Sequence, residues 1–244
     1  MSARVLPIAS IAAIGVLAWI WFLQIGRGMS MHASMPGMQI GIGALVVMWA
    51  VMMGAMMVPA AASSYLLHAR MSKLGFASAA YLAGYIATWC AVGVAYALLH
   101  WALQQAGLIA AGMRLGSVPL GGGLLIAAGL WQWSPAKATC VTHCRSPLGF
   151  MLNDWREGTG GAFTMGLHYA AWCVGCCWLV MGVLFVVGAM SFAWAAMISL
   201  YVLAERMLPL GRAFDHAIGI GLVAWGAWLI APSFVSWAFY ISSL

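Results

Sequence analysis

The chain has 244 residues, of which 65% are apolar and only 6% charged, and its net charge is +6. Soluble domains carry about 25% charged residues, so this composition excludes a water-soluble globular protein and indicates one embedded in a lipid bilayer. The ten basic residues are scattered along the chain. They form no cluster that could follow a phosphate backbone, which argues against nucleic-acid binding.

Long apolar runs predict transmembrane helices, because about 20 apolar residues are needed to cross a bilayer. Barrel strands would instead alternate apolar and polar residues. The runs lie at 5–25, 39–62, 76–101, 116–133, 162–188, 191–208 and 215–235. We therefore predict an all-α fold: a polytopic integral membrane helical bundle forming one domain over residues 1–244. It would have about seven transmembrane helices, or six if the run that ends near Glu205 does not cross.

The distribution of lysine and arginine predicts the orientation of these helices. With seven spans, eight basic residues fall on one side and only Arg27 and Arg114 on the other. This favours a bacterial inner-membrane protein with its N-terminus in the cytoplasm and its C-terminus outside. The run 5–25 is too long for the apolar part of a signal peptide and is expected to remain as a helix. Glycines at 121–123, 219, 221 and 226 predict close helix packing.

Methionines mark two candidate metal-binding regions. A short loop predicted to face outside holds four methionines and one histidine, and its candidate ligands are Met29, Met31, His32 and Met35. Thioether and imidazole groups suit copper, although a membrane-dipping apolar loop is an alternative. The second predicted span carries a stripe of five methionines, among which Met52 and Met56 share one face. Such a stripe could pass a thiophilic ion along the helix, but it also suits ordinary core packing.

Cysteines form two further motifs. Cys140, His143 and Cys144 lie in the long loop 134–161, which is predicted to be cytoplasmic, and a helical turn would put both cysteines on one face. A disulfide is not expected in the reducing cytosol. Cys173, Cys176 and Cys177 lie deep in the run 162–188, at spacings that place all three on one helical face. These residues are candidate ligands for Cu(I), with zinc as the alternative metal.

The acidic residues add little evidence of catalysis. The chain has only four carboxylates and lacks nucleotide-binding and hydrolytic motifs, so we expect a non-enzymatic protein. Glu205 lies near the end of an apolar run, where a carboxylate is a candidate functional group. Arg206 or Arg212 is its expected partner.

Four segments carry a resemblance to a known family. They are Met-Met-x-x-Met-Met-x-Pro from Met52 to Pro59, Cys-x-x-His-Cys-Arg-Ser-Pro-Leu-Gly-Phe from Cys140 to Phe150, a cysteine-rich helix from Cys173 to Trp178, and Glu-x-x-Leu-Pro-x-Gly from Glu205 to Gly211. With them the chain resembles, from about Met48 to Ile230, a family of bacterial integral membrane proteins described as metal-binding. Some members are regarded as copper chaperones that serve copper enzymes such as tyrosinases. The loop from Met29 to Met38 is not part of this resemblance.

Together these features predict a membrane protein that binds Cu(I) and transfers it to a copper enzyme or a periplasmic copper carrier. The bilayer is then its first partner, and a multi-subunit membrane complex is a further one. Two other functions stay open: an accessory subunit of a larger copper oxidase or monooxygenase, and a membrane thiol oxidoreductase.

Overall fold

The computed structural model describes residues 40–72, 75–110, 113–189, 191–208 and 211–242, with a few positions between 13 and 24, and side chains as far as Ala231. Within these ranges the chain is almost entirely helical, which confirms the predicted all-α class. The helices are α1 (Ile42–Met71), α2 (Gly75–Gln105), α3 (Val118–Trp131), α4 (Pro135–Arg145), α5 (Pro147–Asn153), α6 (Gly158–Gly182), α7 (Leu184–Val187), α8 (Phe192–Met207) and α9 (Gly211–Ser242). A two-stranded antiparallel sheet, β1 (Ile109–Ala110) with β2 (Arg114–Leu115), follows α2.

Four helical segments in the described ranges are long and apolar enough to cross a membrane. They are Ile42–Met71, Gly75–Gln105, Gly158–Val187 and Arg212–Ala231. The run 116–133 forms the 14-residue helix α3, and the run 191–208 forms the 16-residue helix α8. The run 5–25 lies mostly outside the described residues. The predicted count of seven spans is therefore not confirmed, since four candidates are found.

Segment 134–161, predicted as a loop, is largely helical. The Ser134 side chain accepts a hydrogen bond from the Ala136 amide (3.2 Å), and Pro135 occupies the first turn, so a capped helix begins at this point. Ser146 and Pro147 separate α4 from α5, because the residue before a proline is disfavoured in the α conformation. This part of the chain is therefore a pair of short helices that can hold side chains in fixed places.

Glycines allow two pairs of helices to pack at short range. A Cβ atom at Gly166 on α6 would lie 2.0 Å from the Tyr81 carbonyl oxygen on α2. A Cβ atom at Gly122 on α3 would lie 2.8 Å from the Gly226 carbonyl oxygen on α9. Any side chain at these positions would push the backbones apart, so α2 is held against α6 and α3 against α9.

The methionine stripe lies in the core. Met48, Met52, Met53, Met56 and Met57 are each at most 1% exposed. Their helix α1 packs against α2, α5 and α8. The side chain of Ser199 on α8 also donates a hydrogen bond to the Met56 carbonyl oxygen (2.9 Å). The stripe therefore faces protein in the interior of the bundle.

Candidate metal centre

The contact between α4 and α6 brings the two cysteine motifs together. Cys140 and Cys144 are one helical turn apart on α4, so they project from the same side of that helix. Cys144 is 2% exposed, and its Sγ atom lies 3.5 Å from the Sγ atom of Cys173 on α6. Two motifs separated by 28 intervening residues therefore meet in one thiol cluster.

The other two cysteines of α6 surround the same point. The thiols of Cys176 and Cys177 each donate a hydrogen bond to the Cys173 carbonyl oxygen at 3.0 Å. All three residues are at most 1% exposed. Four sulfur atoms are therefore buried around one turn of α6, and we call Cys144, Cys173, Cys176 and Cys177 the thiol cluster.

Gly175 makes room for α4 at this turn. A Cβ atom on Gly175 would lie 2.7 Å from the Cys140 Sγ atom, closer than real Cβ contacts allow. Cys140 is half-buried and stands at the edge of the thiol cluster. The glycine between Cys173 and Cys176 thus lets a fifth cysteine approach the cluster.

The arrangement suits an ion that needs few ligands. In the described part of the chain, no group of three or more His, Cys, Asp or Glu side chains could hold a metal ion as it stands. A structural zinc site with its four ligands is therefore not preformed. Two sulfur–metal bonds of about 2.3 Å span about 3.8 Å at a tetrahedral angle and about 4.6 Å in a line. The 3.5 Å between Cys144 and Cys173 needs to grow by about 1 Å to admit a linear two-coordinate ion.

A buried ion pair anchors the first turn of α4. Lys137 is 1% exposed and Glu205 on α8 is 0% exposed, and their side chains form a direct salt bridge. The predicted partners of Glu205, Arg206 and Arg212, are wrong, because the turn of α8 directs the carboxylate toward α4 and away from its neighbour in sequence. The Arg145 Nε atom adds a second tie by donating to the Glu205 carbonyl oxygen (2.7 Å).

Arg206 lies beside the thiol cluster and was missed as a site residue. One of its terminal nitrogens is 3.6 Å from the Cys176 Sγ atom, and the other is 3.4 Å from the Tyr85 hydroxyl group. Glu205 and Arg206 therefore point to opposite neighbours, the first to Lys137 and the second to the cysteines. The sequence feature that could have identified Arg206 is the pair of adjacent charged residues, Glu205 and Arg206, at the end of an apolar helix.

Residues 46–229 match a family described as "PpoB2: Copper chaperone", which covers most of the chain. This chain belongs to the PpoB2 copper chaperone family. The resemblance noted from the sequence is thereby confirmed, and so is a role related to copper. Neither the curated proteins nor the solved structures compared with the chain gave a match.

The match defines which candidate ligands belong to the copper chaperone region. All six cysteine-motif residues and the methionines of α1 fall inside it. Met29, Met31, His32 and Met35 precede the matched residues, and they also lie outside the described part of the structure. Met52 and Met56 are buried in α1, whose main contacts are with other helices than α6.

His143 stands apart from the thiol cluster of this chaperone. It is exposed, and its ring stacks on Trp172 with the ring centroids 4.1 Å apart. Its Nδ1 atom is 2.9 Å from the Thr139 carbonyl oxygen, which can only accept, so Nδ1 donates and Nε2 keeps its lone pair. The ring therefore offers a nitrogen ligand at the surface of α4.

The thiols of α4 hold their protons firmly. Burial raises the pKa of the Cys140 thiol, and the nearby Cys176 and Cys173 sulfurs raise it further. The hydrogen bonds to Cys173 and then Cys176, together with burial, raise the pKa of Cys144 well above its ordinary value. A metal ion that binds these thiols as thiolates must therefore displace protons.

Proposed function

We propose that this copper chaperone is a multi-pass protein of the bacterial inner membrane that binds Cu(I) between Cys144 and Cys173 and delivers it to a copper enzyme or periplasmic carrier. The observation that supports the proposal most strongly is the 3.5 Å distance between these two sulfur atoms, which come from separate motifs and separate helices. The four long apolar helices agree with a membrane location. The family supports copper as the cargo.

The ligand set favours Cu(I) over Zn²⁺. Thiolates and thioethers are soft ligands that suit Cu(I), and this ion accepts two of them. Zinc in structural sites takes four ligands, whereas a two-coordinate ion needs only a pair such as Cys144 and Cys173, whose sulfur atoms lie 3.5 Å apart across the α4–α6 contact. A two-coordinate site also leaves the ion open to attack by the sulfur of a partner, which is what transfer requires.

The exposure of the candidate ligands suggests an order of transfer. The exposed His143 and the half-buried Cys140 would receive Cu(I) from the cytoplasm, and the buried thiol cluster would hold it. Met52 and Met56, followed by the predicted outer residues Met29, Met31, His32 and Met35, would carry it outward. Neutral thioethers bind more weakly than charged thiolates, so affinity would fall along this path and favour release.

Metal analysis of the anaerobically purified protein tests the central step. Cys144→Ser and Cys173→Ser are each expected to lose the bound Cu(I). Cys90→Ser is the matched control, because Cys90 is half-buried on α2 and belongs to neither motif. X-ray absorption of the copper-loaded protein should show two sulfur neighbours.

The proposal fails if both motif variants remain folded and bind as much Cu(I) as the wild type. Delivery is tested separately, by transfer of copper from the loaded protein to an apo copper enzyme. Loss of transfer with intact binding would point to the accessory-subunit function in place of a carrier.

A further inference from the structure

Among the described residues, Arg206 has no anionic side-chain partner. In the described ranges, the ion pairs within 4.0 Å join Lys137 to Glu205 and Lys137 to Asp215, and neither includes Arg206. Its Nε atom is buried and makes no hydrogen bond to a described residue. Its guanidinium group instead contacts the Cys176 sulfur and the Tyr85 hydroxyl group. Arg206 is half-buried, and a charge partly removed from water is costly unless an opposite charge compensates it, so an anion would be favoured at this position.

Among the described residues, the neighbouring cations Lys137 and Arg145 make polar contacts with Glu205 and not with a cysteine sulfur. Lys137 is neutralised by Glu205, and Arg145 donates through Nε to the Glu205 carbonyl oxygen. Arg206 is the guanidinium that touches a sulfur of the thiol cluster among the described residues. That sulfur, of Cys176, is itself 3.0 Å from the Cys173 carbonyl oxygen.

The net charge of the metal–thiolate complex depends on the charge of the bound ion. Two thiolates with Cu⁺ or Ag⁺ make a complex of charge −1, whereas two thiolates with Hg²⁺ make a neutral one. When two thiols bind Cu⁺, two protons leave and one positive charge enters, so one negative charge stays buried. A guanidinium group beside the complex would bring the total for Cu⁺ to zero and would leave the neutral mercury complex with an excess positive charge.

We propose that Arg206 is a specificity-determining residue that balances the charge of a monovalent soft cation held by Cys144 and Cys173. It acts through the field at the site and does not ligate the metal. This inference rests on the proposed function and refines it, because it selects a monovalent cargo over divalent thiophilic ions.

Two substitutions at Arg206 and two controls test the proposal. Wild type, Arg206→Gln, Arg206→Lys and Arg212→Gln are purified anaerobically in detergent, and affinities for Cu(I), Ag(I) and Hg(II) are measured by competition with chelators. Arg212 is exposed at the start of α9, so its loss removes the same charge away from the cysteines. Arg145→Gln is added because Arg145 follows Cys144 directly. Thermal unfolding confirms that each variant is folded.

The expected result distinguishes an effect of the Arg206 charge from an effect of its side chain on the shape of the metal site. Arg206→Gln should weaken Cu(I) and Ag(I) binding by about 10- to 100-fold, the usual effect of removing an outer-shell partner, and should leave Hg(II) binding unchanged. Arg206→Lys should restore most of the Cu(I) affinity, and Arg212→Gln should bind all three ions as the wild type does.

Three outcomes overturn the inference. An equal loss for Cu(I) and Hg(II) would mean that Arg206 only shapes the site, and a loss confined to Arg145→Gln would assign the charge to that residue. Wild-type Cu(I) affinity in Arg206→Gln would show that no countercharge is needed. In all three cases the wild type still binds Cu(I) through Cys144 and Cys173, so the proposed function survives. If the wild type does not bind Cu(I) there, the proposed function and the inference fail together.

Discussion

Replacing Lys137 by methionine removes the cation that holds α4 to α8 and leaves the Glu205 carboxylate buried. Both partners are at most 1% exposed, so water cannot take the place of the lost charge. Breaking a buried pair by removing one partner typically costs about 3–5 kcal/mol. Asp215, 3.8 Å from the Lys137 ammonium group and 14% exposed, loses the same cation and adds to the repulsion. We therefore expect Lys137→Met to lower the free energy of unfolding by about 3–5 kcal/mol.

The double variant Lys137→Met, Glu205→Gln distinguishes the loss of the attraction between the two side chains from the cost of burying an unpaired Glu205 carboxylate. Because it buries no unpaired Glu205 carboxylate, it should recover most of the stability that Lys137→Met loses, and the coupling between the two sites should exceed about 1 kcal/mol. Thermal or denaturant unfolding in detergent gives the stabilities, with Arg114→Met as the control because Arg114 is an exposed cation on β2.

Lys137→Met should also affect Cys144, because both residues lie on α4. A loss of about 3 kcal/mol in the anchoring of α4 corresponds to a roughly 100-fold rise in the population in which the helix is detached. Alkylation of Cys144, which is 2% exposed, should accelerate accordingly. A Lys137→Met protein with wild-type stability and wild-type Cys144 alkylation would refute the reasoning.

Two further changes probe the cluster itself. Gly175→Ala places a Cβ atom 2.7 Å from the Cys140 Sγ atom, so the Cys140 side chain should turn outward and be alkylated several-fold faster. The control is Gly160→Ala on the same helix, which has open space around it and should leave the alkylation rate of Cys140 unchanged. Equal rates in the two variants would count against the close approach. The raised pKa of Cys144 means that Cu(I) displaces a proton from this thiol, so apparent affinity should rise with pH below that pKa, by about tenfold per pH unit for the proton released. An affinity independent of pH between 6 and 8 would contradict this assignment of a protonated thiol.

The helical class could be predicted from composition, but the number of spans could not. An apolar run shows that a segment avoids water and does not show how far it extends as one helix. Run 116–133 is shortened because α3 begins only after Ser117 and ends at Trp131. Run 191–208 ends as α8 at Met207, two residues before Pro209, which disfavours the α conformation in its predecessor.

The cysteines could be selected as candidate ligands because spacing within a helix is a local property. That Cys144 lies against Cys173 depends on the packing of α4 on α6, and this tertiary contact leaves no trace in the spacing of either motif. The ion pair of Glu205 was missed for the same reason. Neighbours in sequence were considered as partners, whereas the true partner, Lys137, lies 68 residues away.

Placing one sulfur on a short helix and the other on a long one has a mechanical consequence. Admitting a linear Cu(I) ion requires the sulfur atoms to separate by about 1 Å. α6 packs on α2 through a backbone contact at Gly166, whereas α4 is held through side chains: Lys137 and Arg145 connect it to α8, and the Tyr169 hydroxyl group on α6 donates to the Cys144 carbonyl oxygen (2.8 Å). Because side chains yield more readily than a backbone contact, we infer that α4 moves when copper binds. A partner that pulled on α4 would then weaken the site without touching the metal, and the Lys137→Met variant should mimic that effect by releasing Cu(I) faster than the wild type.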